Sequence, residues 1–191
     1  MKSNKAFTLI EVMVVIAVLT VLTVSIVPSF SGYLKNQNVK QAQETLKSDL
    51  RSVQNKALTG VLSDTGAYFW GILLAADSNG GPSKYIMYPV AEDSSAPGMP
   101  ESTACSIGYS TPGGAEKYTV TLETGITIDE TSLEGNDGAY TVGCIFFDRA
   151  KGDALFWELT VDAGTALATI KLDKDGALSQ NIYINSSGLI Y

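Results

Sequence analysis

Residues 7–27 read FTLIEVMVVIAVLTVLTVSIV, an almost entirely apolar stretch. It contains 21 residues, and Glu11 is the only charged one among them. At a rise of about 1.5 Å per residue, a helix of this length spans about 30 Å, the thickness of a bilayer's hydrocarbon core. The sequence therefore predicts a transmembrane helix. A carboxylate inside such a helix raises the free energy of membrane insertion, so we interpret Glu11 as a functional residue. The alternative is that the Glu11 side chain only snorkels towards the membrane surface and has no functional role.

The segment before this stretch, residues 1–6, contains two lysines and ends in the small residue Ala6. A secretory signal peptide has an apolar core of about 7–15 residues and is cut after that core. In this chain the apolar run is longer, and the small residue that follows the basic segment lies before the run. The leader therefore does not fit a secretory signal peptide.

The sequence KAFTLIEV at residues 5–12 resembles the class III leader of type IV pilins and type II secretion pseudopilins. The resemblance implies that a prepilin peptidase cuts between Ala6 and Phe7 and that the new amine of Phe7 is methylated. Pro28 falls where many family members have a helix-kinking proline. The family usually has glycine before the cut, where this chain has Ala6. Because alanine is the next smallest residue, we expect cleavage at a lower rate.

Phe7 and Glu11 are the residues that this resemblance assigns to assembly. After cleavage, the amine of Phe7 lies one helical turn from Glu11. An ion pair between Glu11 of one subunit and the Phe7 amine of a neighbour would neutralise both charges in lipid and set the axial register of packed helices. An ion pair within one chain is the alternative.

Composition places the two ends of the chain in different compartments. By the positive-inside rule, the end of the chain that contains Lys2 and Lys5 is predicted to be cytoplasmic. The chain then crosses the inner (cytoplasmic) membrane once, and residues after about 30 are predicted to lie outside it. Removal of residues 1–6 leaves 11 basic and 20 acidic residues, a side-chain charge of −9. An acidic exported domain argues against direct binding of nucleic acid.

The cysteine and histidine content limits the chemistry of the chain. Cys105 and Cys144 are the two cysteines, and in an exported domain such a pair suggests a disulfide, with two buried thiols as the alternative. The chain has no histidine, which removes histidine-dependent catalysis and argues against a zinc site. We expect no enzymatic activity and no resident cofactor.

A helical pattern continues beyond the apolar stretch, interrupted by Pro28 and Gly32. Apolar residues then recur mostly three and four positions apart, which predicts an amphipathic helix to about Leu58 with a stop at Gly60. They are Leu34, Val39, Ala42, Leu46, Leu50, Val53 and Ala57. We accordingly divide the chain into a leader (1–6), a transmembrane and polymerisation helix (7–30), an amphipathic half (31–60) and a β-rich head (61–191).

The head contains short runs of β-branched and aromatic residues separated by turn signals. Strands are predicted at residues 68–74, 85–90, 118–123 and 126–128. Two hairpins are predicted, one joining 144–147 to 154–159 and one joining 169–172 to 181–184, before a final strand at 189–191. Residues 92–114 are predicted to form a loop. The fold class is α+β, a pilin-like long helix packed on an antiparallel sheet.

Two patterns in the head admit more specific interpretations. Phe146, Phe147, Asp148 and Gly152, with Ile182, Ile184, Gly188 and Ile190 further on, resemble the C-terminal pattern of the pseudopilin H branch. Asp173-Lys174-Asp175-Gly176 resembles the start of a calcium loop, but the twelfth position of an EF-hand loop would be Ile184. A hairpin turn is the preferred interpretation, and a nonstandard calcium site at Asp173 and Asp175 is the alternative.

The sequence thus predicts a minor pilin or pseudopilin of a type IV pilus-like or type II secretion filament. The partners implied are prepilin peptidase, other pilin or pseudopilin subunits, an inner-membrane assembly platform and membrane lipid. The alternative is a single-pass anchored binding domain that never polymerises.

Overall fold

In the computed structural model, one long helix (α1, Leu9–Leu58) begins two residues after the predicted start and ends where the pattern predicted. The structure describes residues 8–60, 69–77, 83–100, 105, 118–133, 135–137, 140–159, 161–162, 167–174 and 178–191. Gly60, at φ +61°, donates its N–H to the Ala57 carbonyl and closes the helix, which confirms the predicted stop. Pro28 and Gly32 lie within the continuous helix, and the bend predicted at Pro28 stays a prediction.

The chain divides into two compact units, Met1–Asn38 and Val39–Tyr191, so the two parts of α1 are described separately. In the first unit, large apolar side chains of residues 9–24 are exposed. No helix in the described part of the chain is both long enough and apolar enough to cross a membrane. The predicted transmembrane half of the helix is therefore not confirmed.

In the second unit, α1 contributes a narrow apolar stripe to the core. Its fully buried members are Val39, Leu46, Leu50, Val53 and Ala57. The spacing of seven, four, three and four residues keeps them on one face of a helix with 3.6 residues per turn. The sequence pattern included Leu34 in this stripe. In the structure Leu34 is 47% exposed, and Val39 is the first buried member of the stripe.

A six-stranded antiparallel sheet forms the larger part of the second unit. Its order is β3-β2-β1-β6-β5, and β7 also pairs with β6. These strands are β1 (Phe69–Asp77), β2 (Lys84–Val90), β3 (Tyr118–Thr121), β5 (Gly135–Asp137), β6 (Tyr140–Asp148) and β7 (Ala154–Trp157). The predicted hairpin around residues 148–153 is confirmed, since β6 and β7 pair with Phe147 opposite Ala154.

A second antiparallel sheet has four strands, in the order β10-β9-β4, with β8 also paired to β9. They are β4 (Ile126–Ile128), β8 (Val161–Asp162), β9 (Leu167–Lys174) and β10 (Leu178–Asn185). The predicted β9–β10 hairpin is confirmed, because Lys174 pairs with Leu178 at its closed end. The predicted final strand is reduced to one bridge, between Ile184 and Ile190.

Strand alternation produces two apolar clusters. The main core joins the α1 stripe to alternate residues of both sheets, including Trp70, Ile72, Ile170 and Leu172. The second cluster lies on the opposite face of the six-stranded sheet and includes Phe69, Leu73, Ile86, Cys144 and Phe146. Because successive strand residues point to opposite faces, β1 supplies both clusters.

Polar contacts also hold α1 against the larger sheet. The Tyr85 hydroxyl donates a hydrogen bond to Asp49 Oδ2 at 2.6 Å. Burial, followed by this carboxylate, raises the pKa of Tyr85 far above its ordinary value. In the last turn of the helix, Lys56 Nζ lies 4.6 Å from the Trp70 ring centroid and 4.4 Å from that of Tyr118. The ammonium therefore makes cation–π contacts with β1 and with the edge strand β3.

Candidate functional site

The first helical turn contains a capping arrangement that the sequence analysis overlooked. Thr8 precedes the first helical residue, and its carbonyl accepts from the N–H groups of Glu11 at 3.1 Å and Val12 at 3.3 Å. The Thr8 hydroxyl also accepts a long hydrogen bond, 3.4 Å, from the Glu11 N–H. Threonine at the N-cap with glutamate three residues later is the capping-box pattern, and Thr-x-x-Glu before an apolar run was the signal available in the sequence.

Glu11 therefore has a local role as well as the predicted assembly role. It is exposed and lies in the first turn of α1, where a negative charge interacts favourably with the helix dipole by about 0.3–1 kcal/mol. The predicted cleavage residues Ala6 and Phe7 lie outside the described residues. The structure thus places one member of the predicted Glu11–Phe7 pair and leaves the pair itself a prediction.

The helical surface after Glu11 is apolar on every side. Twelve large apolar side chains between Leu9 and Val24 are 48–78% exposed. The hydroxyls of Thr20 and Thr23 donate to the carbonyls of Ile16 and Leu19, at 2.8 and 2.7 Å, so these polar groups are satisfied within the helix.

Exposure of these apolar side chains to water is energetically unfavourable. At about 1.5–3 kcal/mol for complete burial of one such side chain, and with roughly half of each exposed, covering all twelve contributes roughly 10–20 kcal/mol. That is comparable to the whole stability of a typical domain, about 5–15 kcal/mol. In proteins, a helix that is apolar on every face is buried in an apolar environment, either a protein core or a membrane.

A shallow concavity of about 310 Å³ lies on one side of this helical segment. It is lined by Glu11, Val12, Val15 and Ile16. Residues four apart lie on the same face of a helix, so the concavity combines the Glu11/Val15 row with the adjacent Val12/Ile16 row. Its wall is apolar except for the Glu11 carboxylate at one end.

The residues that resemble the pseudopilin H pattern meet at the C-terminal part of α1. Gln54 Nε2 donates hydrogen bonds to the carbonyls of Gly152 and Gly188, both at 3.0 Å. Both glycines have positive φ, +73° and +77°. We call this contact the glutamine clasp, defined by Gln54, Gly152 and Gly188. It ties the β6–β7 turn and the C-terminal turn to the helix.

The C-terminal segment, residues 186–191, is held by further contacts. Arg51 Nη2 donates to the Ile190 carbonyl at 3.3 Å, and Ala154 N–H donates to the Ser186 carbonyl at 2.9 Å. The side chain of Ile190 is 9% exposed and joins the main core. The segment therefore completes the core, and the H-like pattern has a structural explanation in this chain.

Cys105 and Cys144 form a disulfide, with their Cα atoms 5.7 Å apart. Both residues are buried, at 5% and 0% exposure. The bridge joins Cys105 to the centre of β6, where Cys144 pairs with Leu73 of β1. The Tyr88 hydroxyl lies 3.7 Å from Cys144 Sγ, and burial raises the pKa of Tyr88 well above its ordinary value.

The structure describes Asp173 but not Asp175, so the calcium interpretation stays untested. Asp173 Oδ1 is buried and has no hydrogen-bond partner within the described residues. The Lys171 ammonium nearby pairs with Asp129, which together with Asp173 raises the pKa of Lys171. Among the residues that the structure describes, no three His, Cys, Asp or Glu side chains are grouped so as to hold a metal ion.

Comparison with known proteins identifies the N-terminal region. Residues 1–27 match the family model of the prokaryotic N-terminal methylation motif. The match covers the leader, Thr8, Glu11 and the apolar helical stretch, and it is consistent with a type IV pilin-like protein. No curated protein and no solved structure matches the chain.

Proposed function

We propose that this chain, which carries a prokaryotic N-terminal methylation motif, is a structural subunit of a type IV pilus-like or type II secretion filament. Prepilin peptidase removes residues 1–6 and leaves Phe7 as the methylated N-terminus. The inner-membrane assembly platform then moves the subunit from lipid into a filament with other pilin or pseudopilin subunits. The role is structural and not catalytic.

The motif match at residues 1–27 carries this proposal, and the apolar helical surface explains it physically. In the printed sequence, residues 7–27 contain a single charge and are long enough to span a hydrocarbon core. Lipid covers this surface in the stored subunit, and neighbouring helices cover it in the filament. Both surroundings are apolar, so the exchange requires little net desolvation.

The disulfide supports export of the head. Disulfides persist in oxidising compartments outside the cytoplasm, and Cys105 is bonded to Cys144. Before cleavage, Lys2 and Lys5 hold the leader in the cytoplasm, so the residues after about 30, including the head, lie outside the inner membrane. The finished filament is periplasmic or at the cell surface.

Within this family of filaments, we favour a minor pilin or a pseudopilin. The support is the H-like pattern, whose two glycines, Gly152 and Gly188, accept hydrogen bonds from one helical residue, Gln54. The two glycines of the pattern are thus connected through one helical residue.

The first test is the intact mass and the N-terminal sequence of the protein recovered from membranes. We expect a chain that begins at Phe7 with one added methyl group, at lower yield than a variant with Ala6→Gly, because glycine is the usual residue at that position of the family. A chain that still begins at Met1, in a cell whose other prepilins are cut, would establish the anchored domain that does not polymerise.

The second test separates the two roles of Glu11. Glu11→Gln removes the charge but retains a side chain that can complete a capping box, whereas Glu11→Ala removes both. If the carboxylate pairs with the Phe7 amine, both variants insert normally and assemble poorly. Wild-type filament yield from Glu11→Gln, with loss only in Glu11→Ala, would assign Glu11 to helix capping and refute the ion pair.

A further inference from the structure

We propose that a groove on the exposed side of α1, between Glu44 and Thr59, binds the acidic turn at residues 92–100 of a second copy of this chain. Both surfaces belong to the second compact unit, Val39–Tyr191. The inference rests on the proposed function, because a filament places copies of a chain side by side. It adds a contact between folded regions, selective for charge and shape, to the apolar contacts of residues 9–24.

The groove is a concavity of about 520 Å³ on the surface of the helix, and we call it the helix groove. Most of the side chains that line it are short and polar, and two long cationic ones lie among them. Between Glu44 and Thr59 they are Ser48, Arg51, Ser52, Asn55 and Lys56. Ser48, Ser52 and Asn55 are exposed, and their side chains make no hydrogen bond within the described residues. They are therefore available to polar groups of a partner.

The two cations of the helix groove lack a carboxylate partner in the described part of the chain. Arg51 donates to the Ile190 carbonyl, and Lys56 lies over two aromatic rings. Neither side chain forms an ion pair with a described Asp or Glu. The Glu44 carboxylate is itself paired, with Lys47 at 3.4 Å. The helix groove therefore carries a positive charge that an acidic partner would neutralise.

The turn at residues 92–100, which we call the acidic turn, has the complementary charge and a fixed shape. Glu92 and Asp93 are adjacent, and no lysine or arginine occurs in residues 85–116. Glu92 Oε1 accepts a hydrogen bond from the Gly98 N–H, and Asp93 Oδ1 accepts one from the Ser95 N–H at 2.8 Å. The turn thus holds two carboxylates in fixed positions, through one oxygen of each.

The tip of the acidic turn also fits the helix groove in size. Residues 94–99 are all exposed, and the Asp93 N–H donates to the Met99 carbonyl at 2.9 Å, which closes the turn at its base. Clefts of roughly 300–1,000 Å³ hold ligands of drug size. At about 520 Å³, the helix groove therefore has room for a few side chains of a turn tip, but not for a packed helix.

The charge distribution along the chain favours a second copy as the occupant. Residues 39–60 contain four basic and two acidic residues, a net charge of +2, whereas residues 61–191 contain six and 17, a net charge of −11. Complementary charges on two surfaces steer their association and fix its register. Because the two surfaces differ, the contact is heterologous, and its repetition generates an open helical filament wherever the rotation does not close a ring.

Charge substitutions test the contact as the dissociation constant of self-association, measured by sedimentation of the processed full-length protein in a neutral detergent. Ser52→Glu places a negative charge in the helix groove. Thr45→Glu is the matched control, because Thr45 is equally an exposed hydroxyl residue two helical turns earlier and does not line the groove. Like charges that meet in an interface oppose binding, so we expect Ser52→Glu to weaken self-association about tenfold or more and Thr45→Glu to stay within about twofold of wild type.

A second substitution on the other surface should reverse this loss. Ser94 is exposed at the tip of the acidic turn, and Ser94→Lys gives the turn a positive charge. We expect Ser94→Lys to restore the self-association of Ser52→Glu to within about threefold of wild type, because opposite charges again face each other. Equal losses in Ser52→Glu and Thr45→Glu, no loss in either, or no recovery in the double variant would overturn the proposal.

Disulfide cross-linking tests the same contact in the assembled state. Chains with Ser52→Cys are mixed with chains with Ser94→Cys, assembled and oxidised, and the control replaces Ser52→Cys by Thr45→Cys. The native cysteines are buried in their own disulfide, so they do not compete. We expect covalent dimers from the first mixture and at least about tenfold fewer from the control. Filaments of processed chains without such dimers would overturn this inference alone, whereas chains still uncut at Phe7 would overturn the proposed function and this inference with it.

Discussion

Replacement of Gly188 by alanine should destabilise the head by disrupting the glutamine clasp. Gly188 has φ +77°, a conformation that costs a residue with a Cβ atom about 1–2 kcal/mol. A Cβ atom at this position would overlap both Gln54 Nε2 and the Gly152 carbonyl oxygen. The Gln54 side chain must therefore move away, and the turn must shift relative to Gly152.

The magnitude follows from what is lost. Two hydrogen bonds at 3.0 Å, each worth about 0.5–1.5 kcal/mol, add to the backbone strain. The expected loss is about 2–5 kcal/mol, a large part of the usual 5–15 kcal/mol. For a domain of this size, about 2–4 °C is lost per kcal/mol, so the melting temperature should fall by roughly 5–20 °C.

Gly98→Ala is the matched control for this experiment. Gly98 has φ +83°, but a Cβ atom there would have nothing within 4 Å. It should lose only the strain, about 1–2 kcal/mol. Denaturant unfolding of the full-length protein in detergent, followed by circular dichroism, measures both free energies of unfolding. Equal losses in the two variants would refute a stabilising role for the clasp.

Three further predictions concern other parts of the head. Gly71→Ala would place a Cβ atom 2.5 Å from the ring of Phe146, so the free energy of unfolding should fall by about 1–3 kcal/mol. Denaturant unfolding measures this loss, and an unchanged midpoint would contradict the packing. Replacing both Cys105 and Cys144 by serine opens a loop spanning 39 residues, which should cost about 4 kcal/mol in the chain-entropy model, measured against the oxidised wild type. The hydroxyl of Ser95, followed by its N–H, lowers the pKa of Asp93. The contribution of this carboxylate to the turn at residues 92–100 should therefore be complete above the ordinary carboxyl pKa and be lost as the pH falls through the lowered value. An NMR titration of the amide protons in that turn, with Asp93→Asn as the control, checks this, and shifts that begin only at alkaline pH would contradict it.

Local sequence patterns predicted the long helix and most strands because these elements have a periodicity that neighbouring residues reveal. The stop at Gly60 was predictable, since a glycine with positive φ ends many helices. In β9, alternation of buried and partly exposed residues over Leu167–Lys174 gives the period of two that indicates a strand. Such patterns depend on one element packing against a core.

The elements that sequence reasoning missed are those that a partner strand defines. β5 has three residues and β8 has two, too few to show a period. They exist because β6 and β9 offer free hydrogen-bonding edges beside them. The 3-10 turn at Glu130–Ser132 is equally short.

The glutamine clasp could not be predicted for a related reason. Gln54 lies 98 residues from Gly152 and 134 residues from Gly188. The two glycines were recognised from a resemblance, but no local pattern connects them to a helical glutamine. By contrast, the hydrogen bond from the Glu11 N–H to the Thr8 hydroxyl lies within four residues, and the Thr-x-x-Glu capping-box pattern is visible in the sequence.

The two parts of α1 illustrate why a single carboxylate can have two roles. Residues 39–57 bury one apolar stripe in the main core of the second unit. Residues 9–24 expose apolar side chains all round, and in the proposed function lipid or neighbouring helices cover them. Capping of the first turn stabilises the helix in every surrounding, whereas pairing with an amine matters only where water is excluded, because ion pairs are weak in water. The Glu11→Gln variant is therefore informative only in lipid or in a filament, and a soluble peptide of the same segment would report the capping role alone.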